Sequence, residues 1–290
     1  MRRRNVLLLP LAAALPRLAF AQRDEAGGDI RIGLTPVFLD DQVAFLNDWR
    51  AYLEARIRAP VRFIQRGSYR EIVDLLRKGE LDFAWVCGYP FVRHLRELRL
   101  LAVPLFRGKP LYRSYLIVPT PDVRTRSILD LRGRVFAYSD PDSNSGYLYP
   151  TYSLVKLNER PNAFFGRSFF TWAHRKVVDA VAAGLAQGGA VDGYVWETLQ
   201  KLQPQLTVKT RVVDKSPEFG FPPFVARQSV AKPIFADLQR ALLQMSGDAE
   251  GKALLQRLNL DGFAAGEDKL FDGIAAMVKV VDAASHVAPA

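Results

Sequence analysis

The amino-acid order predicts an α/β protein of two similar lobes, each a helix-flanked mixed sheet, closing over a cleft. Three observations carry this. Residues 30–86 alternate strand and helix patterns, as a helix-covered parallel sheet requires. The run Gly79-Glu80-Leu81-Asp82-Phe83-Ala84-Trp85 has a counterpart in Gly189-Ala190-Val191-Asp192-Gly193-Tyr194-Val195: each is a Gly stop, a short strand bearing Asp, then a turn. Between them an apolar strand, 134–138, runs through Asp140-Pro141-Asp142-Ser143-Asn144-Ser145-Gly146 into a helix over 147–156, with Pro150 in its first turn.

The elements follow in order. Residues 30–34 read as a first strand. Val43, Leu46, Trp49, Tyr52, Leu53 and Ile57 then fall at helical spacing within 40–58, until Pro60 ends the helix. A second strand spans 61–64, and Gly67-Ser68-Tyr69 leads into a helix over 70–78 with Gly79 as its C-cap. The third strand, 81–86, is nearly all apolar and therefore buried on both faces. Gly88-Tyr89-Pro90 breaks it, and a short helix covers 91–98. Strands at 100–106 and 112–118 flank a turn at 107–110, and Pro119-Thr120-Pro121 marks a boundary. The second lobe then begins at 128–131. Beyond the 134–156 stretch, residues 164–172 read as a strand rich in core aromatics, and His174 opens a helix stopped by Gly188-Gly189. Strands at 190–196 and 206–213 precede a return crossing at 217–223. Residues 224–227 rejoin the first lobe, and helices cover 233–245, 250–258 and 271–281. The expected division is 30–117 with 224–285 as the first lobe and 118–223 as the second, with hinges near Pro119 and Pro222.

Residues 1–21 read as a signal peptide. Arg2, Arg3 and Arg4 precede an apolar stretch at 6–15, and Ala19-Phe20-Ala21 fits small-x-small cleavage. Sec and twin-arginine routes both stay open. Later apolar runs are too short to span a bilayer, so an exported, periplasmic, monomeric protein is expected. The formal charge of +10 falls to +6 without the four arginines at 2, 3, 4 and 17. This balance favours anionic solutes, and the even spread of basic residues among acids argues against nucleic acid. One cysteine, Cys87, leaves no internal disulfide and reads as a buried small hydrophobe.

The chemistry gathers at the 140–146 loop. Helix-start amides lack intrahelical acceptors and sit at the positive end of the macrodipole, which suits an oxyanion. Ser143, Asn144 and Ser145 add side-chain donors, and Gly146 permits close approach, although a Ser here can also simply cap the helix. His174 can donate from either ring nitrogen, or act only at a helix start. Tyr69, at a strand-to-helix turn, presents a hydroxyl to a cleft or packs its ring. Asp192 suits a cationic amine, or caps the turn at Gly193-Tyr194.

These residues resemble the phosphate/phosphite/phosphonate-binding proteins of ABC importers. The resemblance rests on the 140–147 loop with Pro150, on His174 with Val177, Val181, Gly184 and the 190–193 run, and on Gly67-Ser68-Tyr69 followed by Leu81-Asp82-Phe83-Ala84-Trp85. It covers roughly residues 30–260 and implies a type II periplasmic binding protein with two crossovers between lobes. It further implies that Ser143, Asn144 and Ser145 hold ligand oxygens, that His174 and Tyr69 complete the clamp, and that Tyr89 lines the cleft. A hydroxyl residue is usual in that family where this chain has Asn144.

Enzyme templates are absent: the sequence has no metal spacing of His or Cys, no Gly-x-Ser-x-Gly elbow and no P-loop lysine. No cofactor or metal is expected. The expected function is capture of a small phosphorus oxyanion for an ABC permease. A sensing module for a membrane-bound kinase, a sulfonate or other oxyanion as ligand, and an enzyme on the same scaffold are the alternatives.

Overall fold

The computed structural model describes residues 28–35 and 43–287, so the expected signal peptide at 1–21 lies outside the described residues. Parallel strands Ile30–Leu34, Val61–Gln65 and Phe83–Trp85 form half of a six-stranded sheet. Helices Val43–Ile57 and Tyr69–Arg77 connect them, giving the β-α-β-α-β order the sequence predicts. Antiparallel strands Phe224–Arg227, Leu98–Leu105 and Gly262–Ala264 complete the sheet. Phe83, Ala84 and Trp85 are buried, as a strand covered on both faces must be. Trp49 fastens its helix to this sheet through Phe63 and Phe224, with ring centroids 5.1 and 5.9 Å away.

The second sheet has five strands in the order Thr210–Lys215, Ser114–Pro119, Gly188–Asp192, Val135–Tyr138 and Arg167–Phe170. Phe136 and Phe165 stack at 4.2 Å in its core, where the sequence places the 164–172 aromatics. Trp172 departs from that group: it is 46% exposed and has φ of 65°. The expected boundary at 117/118 falls inside Ser114–Pro119, a strand paired on both sides within this sheet. The chain passes between sheets twice, and the two passages pair as an antiparallel ribbon, Leu111–Tyr112 with Phe219–Gly220. Pro119 therefore ends a strand of the second sheet, and the paired connections lie at 111–112 and 219–220.

Other differences have local causes. The helix His174–Ala182 ends before Gly184, which has φ of 73°, a left-handed conformation that Gly adopts without cost; Gly188 and Gly189 instead begin a buried strand. Residues 204–207 wind as a short helix because Pro204 takes its first turn, so the strand expected from 206 starts at Thr210. The C-terminal helix Asp272–Val287 continues past the expected 281. It packs on both the first lobe's Gly88–Arg93 helix and the second lobe's Tyr149–Lys156 helix, joining the lobes at one side.

Candidate functional site

Ser143 to Leu148 forms a wide π-helical turn between the strand Val135–Tyr138 and the helix Tyr149–Lys156. Leu148 N donates to Ser143 O at 2.9 Å, and Tyr149 N donates to Asn144 O. Pro150 explains much of the geometry. Its missing N–H would have served Gly146 O in an α-helix or Ser145 O in a π-helix. Both carbonyls find other donors: Ser139 N reaches Gly146 O at 3.3 Å, and Ser114 Oγ reaches Ser145 O at 2.6 Å. The turn is thereby tied to two strands of its own sheet.

Inside this frame most loop amides are already engaged. Ser143 N donates to Asp140 O at 3.0 Å, Asn144 N to Cys87 Sγ at 3.2 Å, and Gly146 N to Ser143 Oγ at 3.0 Å. Ser143 is thus the cap that helix-start serines usually are. The polar atoms left over are side chains. Tyr69 Oη, Ser139 Oγ, Asn144 Oδ1 and Ser145 Oγ are buried and have no hydrogen-bond partner of good geometry. Tyr69 and Asn144 are fully buried, and Ser145 is 1% exposed. Such groups are costly inside a protein unless something satisfies them.

Gly146 is required by packing rather than by ligand approach. A Cβ there would stand 1.9 Å from Ser139 Oγ and 3.1 Å from His174 Cε1. That closeness brings His174 against the turn, with Nε2 3.4 Å from Ser143 Oγ. The other nitrogen is spoken for: Nδ1 accepts from Asp192 N at 3.0 Å. Burial drops the imidazole to about 3, so the ring is neutral and its proton sits on Nε2. Of the two donors the sequence allowed, only Nε2–H faces the site.

Asp192 ends its strand as the N-cap of the helix Gly193–Leu202. Its Oδ1 accepts from Tyr194 N at 2.8 Å and Val195 N at 3.3 Å. Burial raises this carboxyl to about 7, against the pull of those two amides. Asp82, its apparent counterpart in the first lobe, does something else. It binds Arg31 and Arg227 and so ties neighbouring strands together. The repeated Gly-stop and Asp pattern therefore marks similar chain paths, with different work for the two acids.

The first lobe reaches the turn through three residues. Tyr69 begins a helix capped by Ser68 and Glu71, and its backbone N donates to Asp140 Oδ2 of the second lobe at 3.1 Å. Asp140 is 1% exposed, and its other oxygen accepts from Asp142 N at 2.8 Å. Cys87 receives the Asn144 amide, and burial pushes its thiol up to about 12, so it acts as a neutral acceptor. Tyr112, on the ribbon between the sheets, accepts from Asn144 Nδ2 at 2.9 Å. At the rim Arg70 pairs with Asp142 through two 3.3 Å contacts. Among the described residues that line the cluster itself, no cationic side chain is present: Asp140 and Asp192 are acids, and His174 is neutral.

The structure thus brings Tyr69, Ser143, Asn144, Ser145, Gly146, His174 and Asp192 together. Tyr89 stands apart, its hydroxyl accepting from Arg93 Nη2 at 3.0 Å in an open groove with Arg70, Arg77 and His94. Sequence reasoning missed Tyr112, Asp140 and the acceptor role of Cys87. Asp140 carried a signal, as an acid at a strand end opening the loop; Tyr112 carried none until the strands were paired.

Two α/β lobes, two crossovers and a polar cluster enclosed between them define a type II solute-binding protein. The family model for the periplasmic substrate-binding protein of phosphonate ABC transporters matches residues 32–271, and the chain belongs to that family, whose members bind a solute and are not enzymes. The phosphate-import protein PhnD of Mycolicibacterium smegmatis is 27% identical over 158 residues, 51% of this chain and 48% of that one. The chain therefore matches about half the length of that relative. The binding-protein component of an ABC phosphonate transporter from Pseudomonas aeruginosa superposes with a TM-score of 0.80 at 23% identity, covering 87% of this chain and 86% of the other. PhnD1 of Prochlorococcus marinus, solved with methylphosphonate, gives 0.76 at 20% identity over 87% and 98%. Its periplasmic family places the protein in the periplasm.

Proposed function

We propose that this protein captures a small phosphorus oxyanion, a phosphonate, phosphite or phosphate, between its lobes and delivers it to an ABC permease. Residues 1–21 direct its export, and it works as a monomer. One observation supports this above the rest: the hydroxyls Tyr69 Oη, Ser139 Oγ and Ser145 Oγ are buried beside the inter-lobe turn without a hydrogen-bond partner of good geometry. A tetrahedral oxyanion offers acceptors in several directions, which suits hydroxyl donors converging from two lobes and the His174 Nε2–H.

Capture proceeds by closure. Tyr69 belongs to the first lobe and Ser145 to the second, so an anion bonded to both favours the closed arrangement. The Asp140 to Tyr69 N bond and the Arg70–Asp142 pair add protein contacts that form in the same movement. Charge-assisted hydrogen bonds to neutral donors are individually stronger than neutral pairs, so no buried cation is needed.

The test is a thermal-shift and calorimetric screen of phosphate, phosphite, methylphosphonate, aminoethylphosphonate and sulfonates. The reading requires stabilisation by at least one phosphorus anion. Stabilisation only by another solute class overturns it.

A further inference from the structure

Asn144 carries an acceptor that this function does not explain. Its Nδ2 is used on Tyr112 Oη at 2.9 Å, while Oδ1 is buried with no partner. The network fits this amide orientation: the Tyr112 hydroxyl has Cys87 and Ser145 as further side-chain neighbours, either of which can accept its hydrogen and leave a lone pair for Nδ2. A carbonyl oxygen can only accept. An oxyanion without a proton presents acceptors alone and would set one beside Oδ1, leaving both unsatisfied. We infer that Asn144 selects the protonated form of the ligand, receiving a P–OH hydrogen on Oδ1 while the remaining oxygens take the hydroxyls and His174 Nε2–H.

The charge around the site agrees. Cys87 and Tyr112 contact Asn144, Tyr69, Asp140, His174 and Asp192 stand in the same buried cluster, and none of these supplies a positive charge for a second negative one. The inference rests on the phosphorus-oxyanion reading and makes this position a determinant of specificity. A sulfonate of equal size and single charge has no proton to offer and should be refused.

The experiment compares methylphosphonate with methanesulfonate by calorimetry, in the wild-type protein and in Asn144→Thr. The wild type should prefer methylphosphonate by about ten- to a hundredfold, the penalty of one unsatisfied buried acceptor. A Thr hydroxyl can donate or accept, so the variant should narrow that ratio to a few-fold. A second measurement needs no variant. Above the ligand's own second pKa, methylphosphonate affinity relative to methanesulfonate should fall about tenfold per pH unit, because only the monoanion binds. Taking the ratio removes protein titrations common to both ligands. Equal affinity of the two ligands, or a pH-independent ratio, overturns this inference and leaves the functional reading intact. If wild type binds no phosphorus oxyanion, both fall.

Discussion

Asp192 and His174 make a paired prediction about stability against pH. Burial raises Asp192 from an ordinary carboxylate near 3.8 to about 7. Between those values the folded protein keeps a proton that the unfolded chain releases, so this group lowers stability as pH rises. The span is about three pH units at about 1.4 kcal/mol each, or about 4 kcal/mol. His174 works the other way. Burial lowers it from 6.5 to about 3, so between these values only the unfolded chain holds the proton, and stability rises with pH by about 5 kcal/mol. From pH 4 to 6.5 the two slopes oppose and nearly cancel. Asp192→Asn removes one of them. Asn is an equally good N-cap for Tyr194 N and Val195 N, and the backbone N–H to His174 Nδ1 is untouched. Denaturant unfolding across pH 4 to 8 should show the variant gaining stability by up to about 1.4 kcal/mol per pH unit below 6.5 relative to wild type. Above pH 7 it should be the more stable protein, by up to about 4 kcal/mol. Identical pH profiles for the two proteins would refute this account of the buried pair.

The other predictions concern closure and contact. Tyr69→Phe and Ser145→Ala each delete a buried hydroxyl that has no hydrogen-bond partner of good geometry. Melting should show unliganded stability unchanged or raised by about 1 kcal/mol, while calorimetry shows methylphosphonate affinity lower by about 1–2 kcal/mol. Asp140→Ala removes the acceptor for Tyr69 N between the lobes and should weaken binding by about 1.5–3 kcal/mol, with circular dichroism unchanged. Gly146→Ala would drive a Cβ to 1.9 Å from Ser139 Oγ, so it should cost about 1–3 kcal/mol of stability, partly recovered with Ser139→Gly, as read by denaturant unfolding.

The fold was legible where side-chain pattern alone decides it. Phe83-Ala84-Trp85 is the buried strand the sequence places within 81–86, and Pro60 follows the end of the first helix. What escaped was set by pairing between distant segments. Ser114–Pro119 reads equally well as the first lobe's last strand; only its partners Gly188–Asp192 and Thr210–Lys215 assign it to the second sheet. The site divides in the same way. Ser143, Asn144 and Ser145 stand next to one another in sequence, and His174 opens a helix with an obvious apolar face. Tyr112 joins them through a two-residue ribbon strand that no periodicity announces. The loop's amides were also expected to face a ligand. Pro150 instead widens the turn, and Cys87, Ser143 and Asp140 consume those donors, which shifts the binding work to side chains.

A crystal structure with methylphosphonate tests the central claim most directly. The account predicts phosphonate oxygens within about 2.6–3.2 Å of Tyr69 Oη, Ser145 Oγ and His174 Nε2, enclosed between the lobes. Ligand density seated instead in the open groove beside Tyr89, Arg70 and Arg93, with the Ser143–Gly146 turn untouched, would contradict it.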